Sequence, residues 1–183
     1  MPSVLLGGEV GLCNALRRTL VTDLESWAPC RLEYRVNTSC ETDEFLAHRL
    51  GLIPFQGVEE GSTMELKATG PCTVTTASLV RSSGSASPLH DNLPLMLLGK
   101  GQALDLTVHF AFAKASTHAR HCPVGAVGMV KQQTGGFLLS FELLDNRSAR
   151  DAVAQTCASL DGVFQDALLQ LSQQDEEPPR SMC

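Results

Sequence analysis

Six residues towards the C-terminal end constrain this chain more than any others. Val153, Cys157, Leu160, Phe164, Ala167 and Leu171 recur at spacings of 4, 3, 4, 3 and 4. A mean period of 3.5 residues puts all six on one stripe of an α-helix, the stripe into which a second helix packs. Three such repeats are too few for a free coiled coil, so the stripe needs cover from the chain's first helix and from a helix of another subunit. Ser148 and Asp151 stand at capping-box spacing and set the start of this helix, which is predicted to run to about Gln173. Gly162 weakens it by about 1 kcal/mol relative to alanine, which a close helix–helix approach would explain.

A short β-like run from Pro2 to Leu6 stops at Gly7 and Gly8. The spacing then predicts a first helix over Glu9–Ser26. Leu12, Leu16, Leu20 and Leu24 form an i,i+4 stripe on it, while Asn14, Arg18 and Thr22 fall on the opposite side and Arg17 at the stripe's edge. Pro29 is expected to end this helix, because the residue before a proline disfavours the helical region. From Arg31 to Ser39 the pattern alternates. Leu32, Tyr34 and Val36 point one way and Arg31, Glu33, Arg35 and Asn37 the other, as in a strand with one buried face. Thr42 is placed to cap a short helix with Asp43 and Glu44 in its first turn, where negative charge is favourable. Gly51 reads as its C-terminal cap, and Pro54 prevents its resumption.

Residues 56–133 change character. Strands are predicted at Thr63–Thr69, Cys72–Val80, Ala103–Ala113 and Ala126–Gln132, with a surface loop at Arg81–Pro88. Leu104, Leu106, Val108 and Phe110 alternate with Asp105, Thr107 and His109 in the clearest strand of the sequence. Phe137–Leu144 is a further strand. The fold class is therefore α+β. A lobe made of residues 1–55 and 134–174 is interrupted by a β-rich lobe, 56–133, and residues 175–183 read as a disordered tail.

With a net charge of -6, the chain is not expected to bind nucleic acid by itself. No apolar run approaches the roughly 20 residues that span a bilayer, and Met1–Leu6 lacks the features of a secretory signal, so an intracellular protein is expected. Seven scattered cysteines without a C-x-x-C pair then point to free, buried thiols. His118, His121 and Cys122 share one loop, with His109 upstream. They are the nearest approach to a metal site and would serve a metal-dependent hydrolase. The alternative is a polar loop ended by Pro123, and no metal or other cofactor is expected. Nor is there a Gly-x-Ser-x-Gly, a phosphate loop or a His-Glu-x-x-His to support catalysis. Glu44 and His48 stand at helical i,i+4 spacing and read as a local pair rather than as an acid and a base.

Asn14 to Arg18 (NALRR), then Asn37 to Ser39 (NTS), then Asp43 to Pro54 (DEFLAHRLGLIP) closely resemble the alpha-like subunits of cellular RNA polymerases. The likeness is nearest the archaeal and eukaryotic third-largest subunit. Gly99–Val108, the loop Lys114–Pro123 leading into Gly125–Val127, and the closing strand and long helix resemble the same family. The resemblance implies a dimerisation lobe, in which a small sheet carries the first and last helices, and an inserted β lobe, with no catalytic residues.

It also implies a heterodimer with a smaller alpha-like subunit, through Leu12, Leu16, Leu20, Leu24, Val153, Cys157, Leu160, Phe164, Ala167 and Leu171. On the pair, the second-largest and then the largest subunit assemble, the former meeting Asn14, Arg17, Arg18, Asp43, Glu44, His48 and Arg49. An alpha-type homodimer is the other arrangement in this class. Such a protein works in a nucleus, or in a cytoplasm or virion if viral, and meets nucleic acid only through the complex. The sequence departs from the family in a clipped first strand, a compact insert and the missing cysteine-rich loop after Pro54, so no metal or iron–sulfur site is carried over. Its compactness is what a viral or divergent lineage would show.

Overall fold

The computed structural model describes residues 1–133 and 135–176. Its elements, in order, are β1 (Ser3–Leu6), α1 (Val10–Thr22), β2 (Glu25–Asn37), α2 (Asp43–Gly51), β3 (Phe55–Gln56), β4 (Thr63–Thr69), β5 (Cys72–Thr75), β6 (Leu79–Ser83), β7 (Ser87–Pro88), β8 (Pro94–Leu98), β9 (Ala103–Lys114), β10 (Val124–Lys131), β11 (Phe137–Leu143) and α3 (Ala149–Glu176). All strand pairs are antiparallel, so the protein mixes helices with antiparallel sheets as the α+β expectation requires.

Two cores organise the chain. The first lies under a three-stranded sheet of order β1-β11-β10, on which α1 rests with α3 beside it. Leu20, Leu24, Val124, Leu139, Phe141 and Ala152 are buried there. The second lies against the four-stranded sheet β2-β9-β4-β6. Leu46 and Leu50 of α2, Met64 and Leu66 of β4, and Leu104, Leu106 and Val108 of β9 meet in it. Burying each of these large apolar side chains contributes about 1.5–3 kcal/mol. The strands do not divide at residues 55 and 133. β2 hydrogen-bonds along β9, and β10 pairs with β11.

The first helix is shorter than its pattern predicts. It ends at Thr22, with Asp23 as C-cap, and Glu25–Pro29 already belong to β2. Pro29 does not end the helix but lies inside that strand. It is tolerated because β2 is an edge strand and the register shifts between Pro29 and Arg31, where no ladder N–H is needed. A second shift between Tyr34 and Val36 breaks the alternation: Leu32 and Tyr34 pack on the core as expected, whereas Val36 is 41% exposed.

Thr42 caps α2 through a bond from the Phe45 N–H, as predicted. Gly51, however, is the last helical residue and Leu52 the cap. The Arg120 guanidinium packs beside Gly51, its carbon 3.5 Å from where a Cβ would stand, which is ordinary van der Waals contact.

In the middle of the chain Thr63–Thr69 matches its prediction, but the Cys72–Val80 run is broken by a 3-10 turn over Thr76–Ser78. Thr76 is buried, and its hydroxyl donates to the His90 carbonyl, which turns the strand aside. The expected loop Arg81–Pro88 is mostly pinned: Arg81–Ser83 complete β6, Ser87 and Pro88 pair with β3, and Ala86 is buried. β8 was not among the predicted strands, although it lies in an apolar run, Leu93–Leu98, bounded by Asn92 and Gly99. α3 begins at its expected capping box: the Ser148 hydroxyl donates to Asp151 at 2.6 Å and accepts the Asp151 N–H. It continues to Glu176, past the predicted end, and residues 177–183 of the expected tail lie outside the described residues. No helix is long and apolar enough to cross a membrane among the described residues.

Candidate subunit interfaces

The helical stripe is built from two halves with different fates. Over the first three turns α3 is partly covered by its own chain, with Ala152 and Thr156 buried and Val153 and Leu160 half-buried. From Asp161 to Gln173 every residue is exposed. A helix of 28 residues is about 42 Å long and one of 13 residues about 20 Å, so α3 projects well past α1. Phe164 and Leu171 of the predicted stripe are 55% and 58% exposed on this projection, and Cys157 and Ala167 are exposed too.

Val163, Leu168 and Leu169 add to the uncovered apolar surface and were missed by the six-residue stripe. Val163 and Leu168 flank it at its two edges, a signal legible in a helical wheel that allows an apolar face wider than a two-helix seam. On α1, Leu12 is 50% exposed and Leu16 half-buried, whereas Leu20, and Leu24 just beyond the end of the helix, are sealed in the first core.

The polar residues predicted to meet a large subunit fall on two elements over different cores. On α1, Arg17 donates from Nε to the Asn14 side-chain oxygen at 3.0 Å. Arg18 is exposed, and its guanidinium has no hydrogen bond or ion pair among the described residues. On α2, Asp43 accepts from Asn37 Nδ2 at 2.6 Å, and the Asp43 carbonyl accepts the Tyr34 hydroxyl at 2.7 Å. Burial of the Tyr34 phenol, followed by the charges of Asp43 and Glu44, pushes its pKa up to about 12. Glu44 and His48 are exposed and form no ion pair among the described residues. Arg49 instead donates to the Pro94 carbonyl at 2.8 Å and lies over the Phe45 ring.

The loop with metal-ligand types holds the two cores together. His118 Nδ1 accepts the Arg120 backbone N–H and Nε–H. Loss of hydration, followed by the charge of Arg120 and the imidazoles of His121 and His48, lowers the pKa of His118. His121 is buried, with Nδ1 3.0 Å from the Ser26 carbonyl oxygen, and Cys122 points its thiol at the Val124 carbonyl. No group of three His, Cys, Asp or Glu side chains is arranged to hold a metal ion among the described residues. Cysteines among the described residues are free, but Cys30, Cys40, Cys72 and Cys157 are exposed rather than buried. Beside this loop an open cleft of about 810 Å³ is lined by Trp27, Phe112, Leu52 and Leu144, with Arg120 and Arg147 at its walls.

No family model matches the chain. Individual proteins do. The Rpo3 subunit of DNA-directed RNA polymerase from Methanocaldococcus jannaschii is 33% identical over 126 residues, 67% of this chain and 65% of that protein. Rpo3 of Natronomonas pharaonis is 33% identical over 127 residues, 67% of this chain and 51% of the relative. Rpo3 of Thermococcus kodakarensis is 30% identical over 132 residues, 66% and 51% respectively. This chain thus spans about half to two thirds of the length of the relatives it matches. Its relatives are subunits of DNA-directed RNA polymerase. More particularly, it is a homologue of Rpo3, the alpha-like subunit in archaea.

Proposed function

We propose that the chain is a non-catalytic assembly subunit of a multisubunit DNA-directed RNA polymerase. It pairs through α1 and α3 with a smaller alpha-like subunit, and the pair is the platform on which the second-largest and then the largest subunit assemble. The observation that carries this reading is the projecting half of α3, which holds Val163, Phe164, Leu168 and Leu171 in water with nothing among the described residues to cover them. An apolar surface of that kind marks an interface.

The contact residues narrow accordingly. Leu12, Leu16, Phe164, Ala167 and Leu171 meet the small subunit, while Leu20 and Leu24 support the helix from beneath. Arg18, uncommitted among the described residues, reaches the second-largest subunit together with Asp43, Glu44, His48 and Arg49; its planar fork suits carboxylates and carbonyls across an interface. The dimerisation lobe is the sheet with α1 and α3, and the inserted lobe is the sheet of β2, β9, β4 and β6. That assigns residues 25–55 to the insert and 124–133 to the dimerisation lobe. The site of action is wherever the host polymerase works: the nucleus, or a cytoplasm or virion in a viral lineage.

The test is co-expression of the full chain with a small alpha-like subunit and the second-largest subunit, followed by size-exclusion chromatography and mass spectrometry. A one-to-one heterodimer that recruits the large subunit is expected. A stable monomer that recovers no polymerase subunit would refute the reading.

A further inference from the structure

We propose that the surface covering the projecting half of α3 is basic as well as apolar: a helix of another chain whose apolar stripe is flanked by lysine or arginine. The inference rests on the heterodimer reading and specifies the chemistry of that partner. Arg150, in the first turn, is the single cation of α3, and no lysine or arginine follows it in the helix. The projection carries Asp161 and Asp166 instead, both exposed and without an ion pair among the described residues.

Asp161 follows Leu160 of the stripe and lies seven residues before Leu168, so the two share the row that flanks the seam. Among the described residues it accepts only Gln165 Nε2, at 2.8 Å, and no cation there offsets its charge. Closing an apolar interface over that row removes water and strengthens every charge interaction at its rim. Two copies of α3 laid seam to seam would then set carboxylate near carboxylate, with no cation on either projection to offset the repulsion. A helix with cations beside its stripe is attracted to the same surface. The apolar face gives affinity to any amphipathic helix, and the Asp161 carboxylate at its rim decides which one is kept.

Two synthetic peptides that share one leucine stripe test this, one with lysine and the other with glutamate at the flanking positions. Each is titrated with the full chain, and binding is followed by fluorescence anisotropy at low and high salt. The lysine peptide is expected to bind several-fold more tightly at low salt. That advantage should shrink in high salt and in the double variant Asp161→Asn, Asp166→Asn, both exposed positions at which folding is undisturbed. Equal binding of the two peptides, each abolished by Phe164→Asp, would overturn the charge inference and leave the interface reading in place. Binding of neither peptide would overturn both. A wild-type homodimer that is broken by Phe164→Asp would overturn the charge inference as well.

Discussion

Arg147 Nη2 donates to the carbonyl oxygen of Glu25 at 2.8 Å, tying the entry to α3 to the first residue of β2. The same side chain reaches Asp145 through Nε at 2.7 Å and Gln155 through Nη1 at 2.7 Å. One guanidinium therefore fastens the helix of one core to the edge strand of the other. Arg147→Ala is expected to cost about 1–3 kcal/mol, since it leaves a charged partner and a strand carbonyl unsatisfied. Arg147→Lys should recover only part of this, because an ammonium cannot reproduce the fork. Urea denaturation of the three proteins measures both effects.

Two glycines should respond to alanine in opposite directions. Gly136 has φ +80°, and a Cβ there would lie 2.6 Å from the Leu6 carbonyl oxygen, so Gly136→Ala should destabilise by more than about 2 kcal/mol. Gly162 stands in a solvent-facing stretch of α3 with nothing within 4 Å of a Cβ, so Gly162→Ala should stabilise the isolated chain by about 1 kcal/mol. Close approach at Gly162 is therefore not made among the described residues. If the partner makes it, the same variant will bind that partner more weakly while melting at a higher temperature.

Tyr34 is the single tyrosine, which makes its titration readable by ultraviolet absorbance. Its native midpoint is expected near 12, falling to about 10 in denaturant. Because the folded value lies above the unfolded one, the associated stability is complete below pH 10 and is lost as pH rises from there towards 12. Asp43→Asn should lower the native midpoint, since burial and then the Asp43 charge raise it. A native midpoint near 10 would mean that the phenol is not buried beside the charges of Asp43 and Glu44.

Phe164→Asp should abolish capture of the small subunit and leave the chain's own stability within about 0.5 kcal/mol, because Phe164 is 55% exposed and remote from either core. Arg18→Ala should do the reverse at the assembly level, sparing the heterodimer and weakening recruitment of the second-largest subunit. Gel filtration of the co-expressed subunits separates the outcomes, and loss of the heterodimer in Arg18→Ala would mean that the faces of α1 are exchanged.

The local code of the sequence determined several elements by itself. Thr42 and Ser148 start their helices because a side-chain oxygen meets an orphan N–H within three residues. β9 follows from a period of two, and the α3 stripe from a period of 3.5, since both are properties of residues close along the chain. The family likeness of Asn14–Arg18 and Asp43–Pro54 was equally legible.

Tertiary structure decided what those elements became. Pairing with β9 drew Glu25 and Ser26 out of a helical pattern and into an edge strand, and a bulge turned Val36 outward. α2 runs on through Gly51 to a cap at Leu52, so that glycine is the last helical residue rather than the cap. The six stripe residues look alike in sequence, yet Val153 is partly buried by its own chain while Phe164 and Leu171 stand in water. Periodicity fixes which face of a helix is apolar. Only the lengths and positions of its neighbours fix how much of that face is left for another chain.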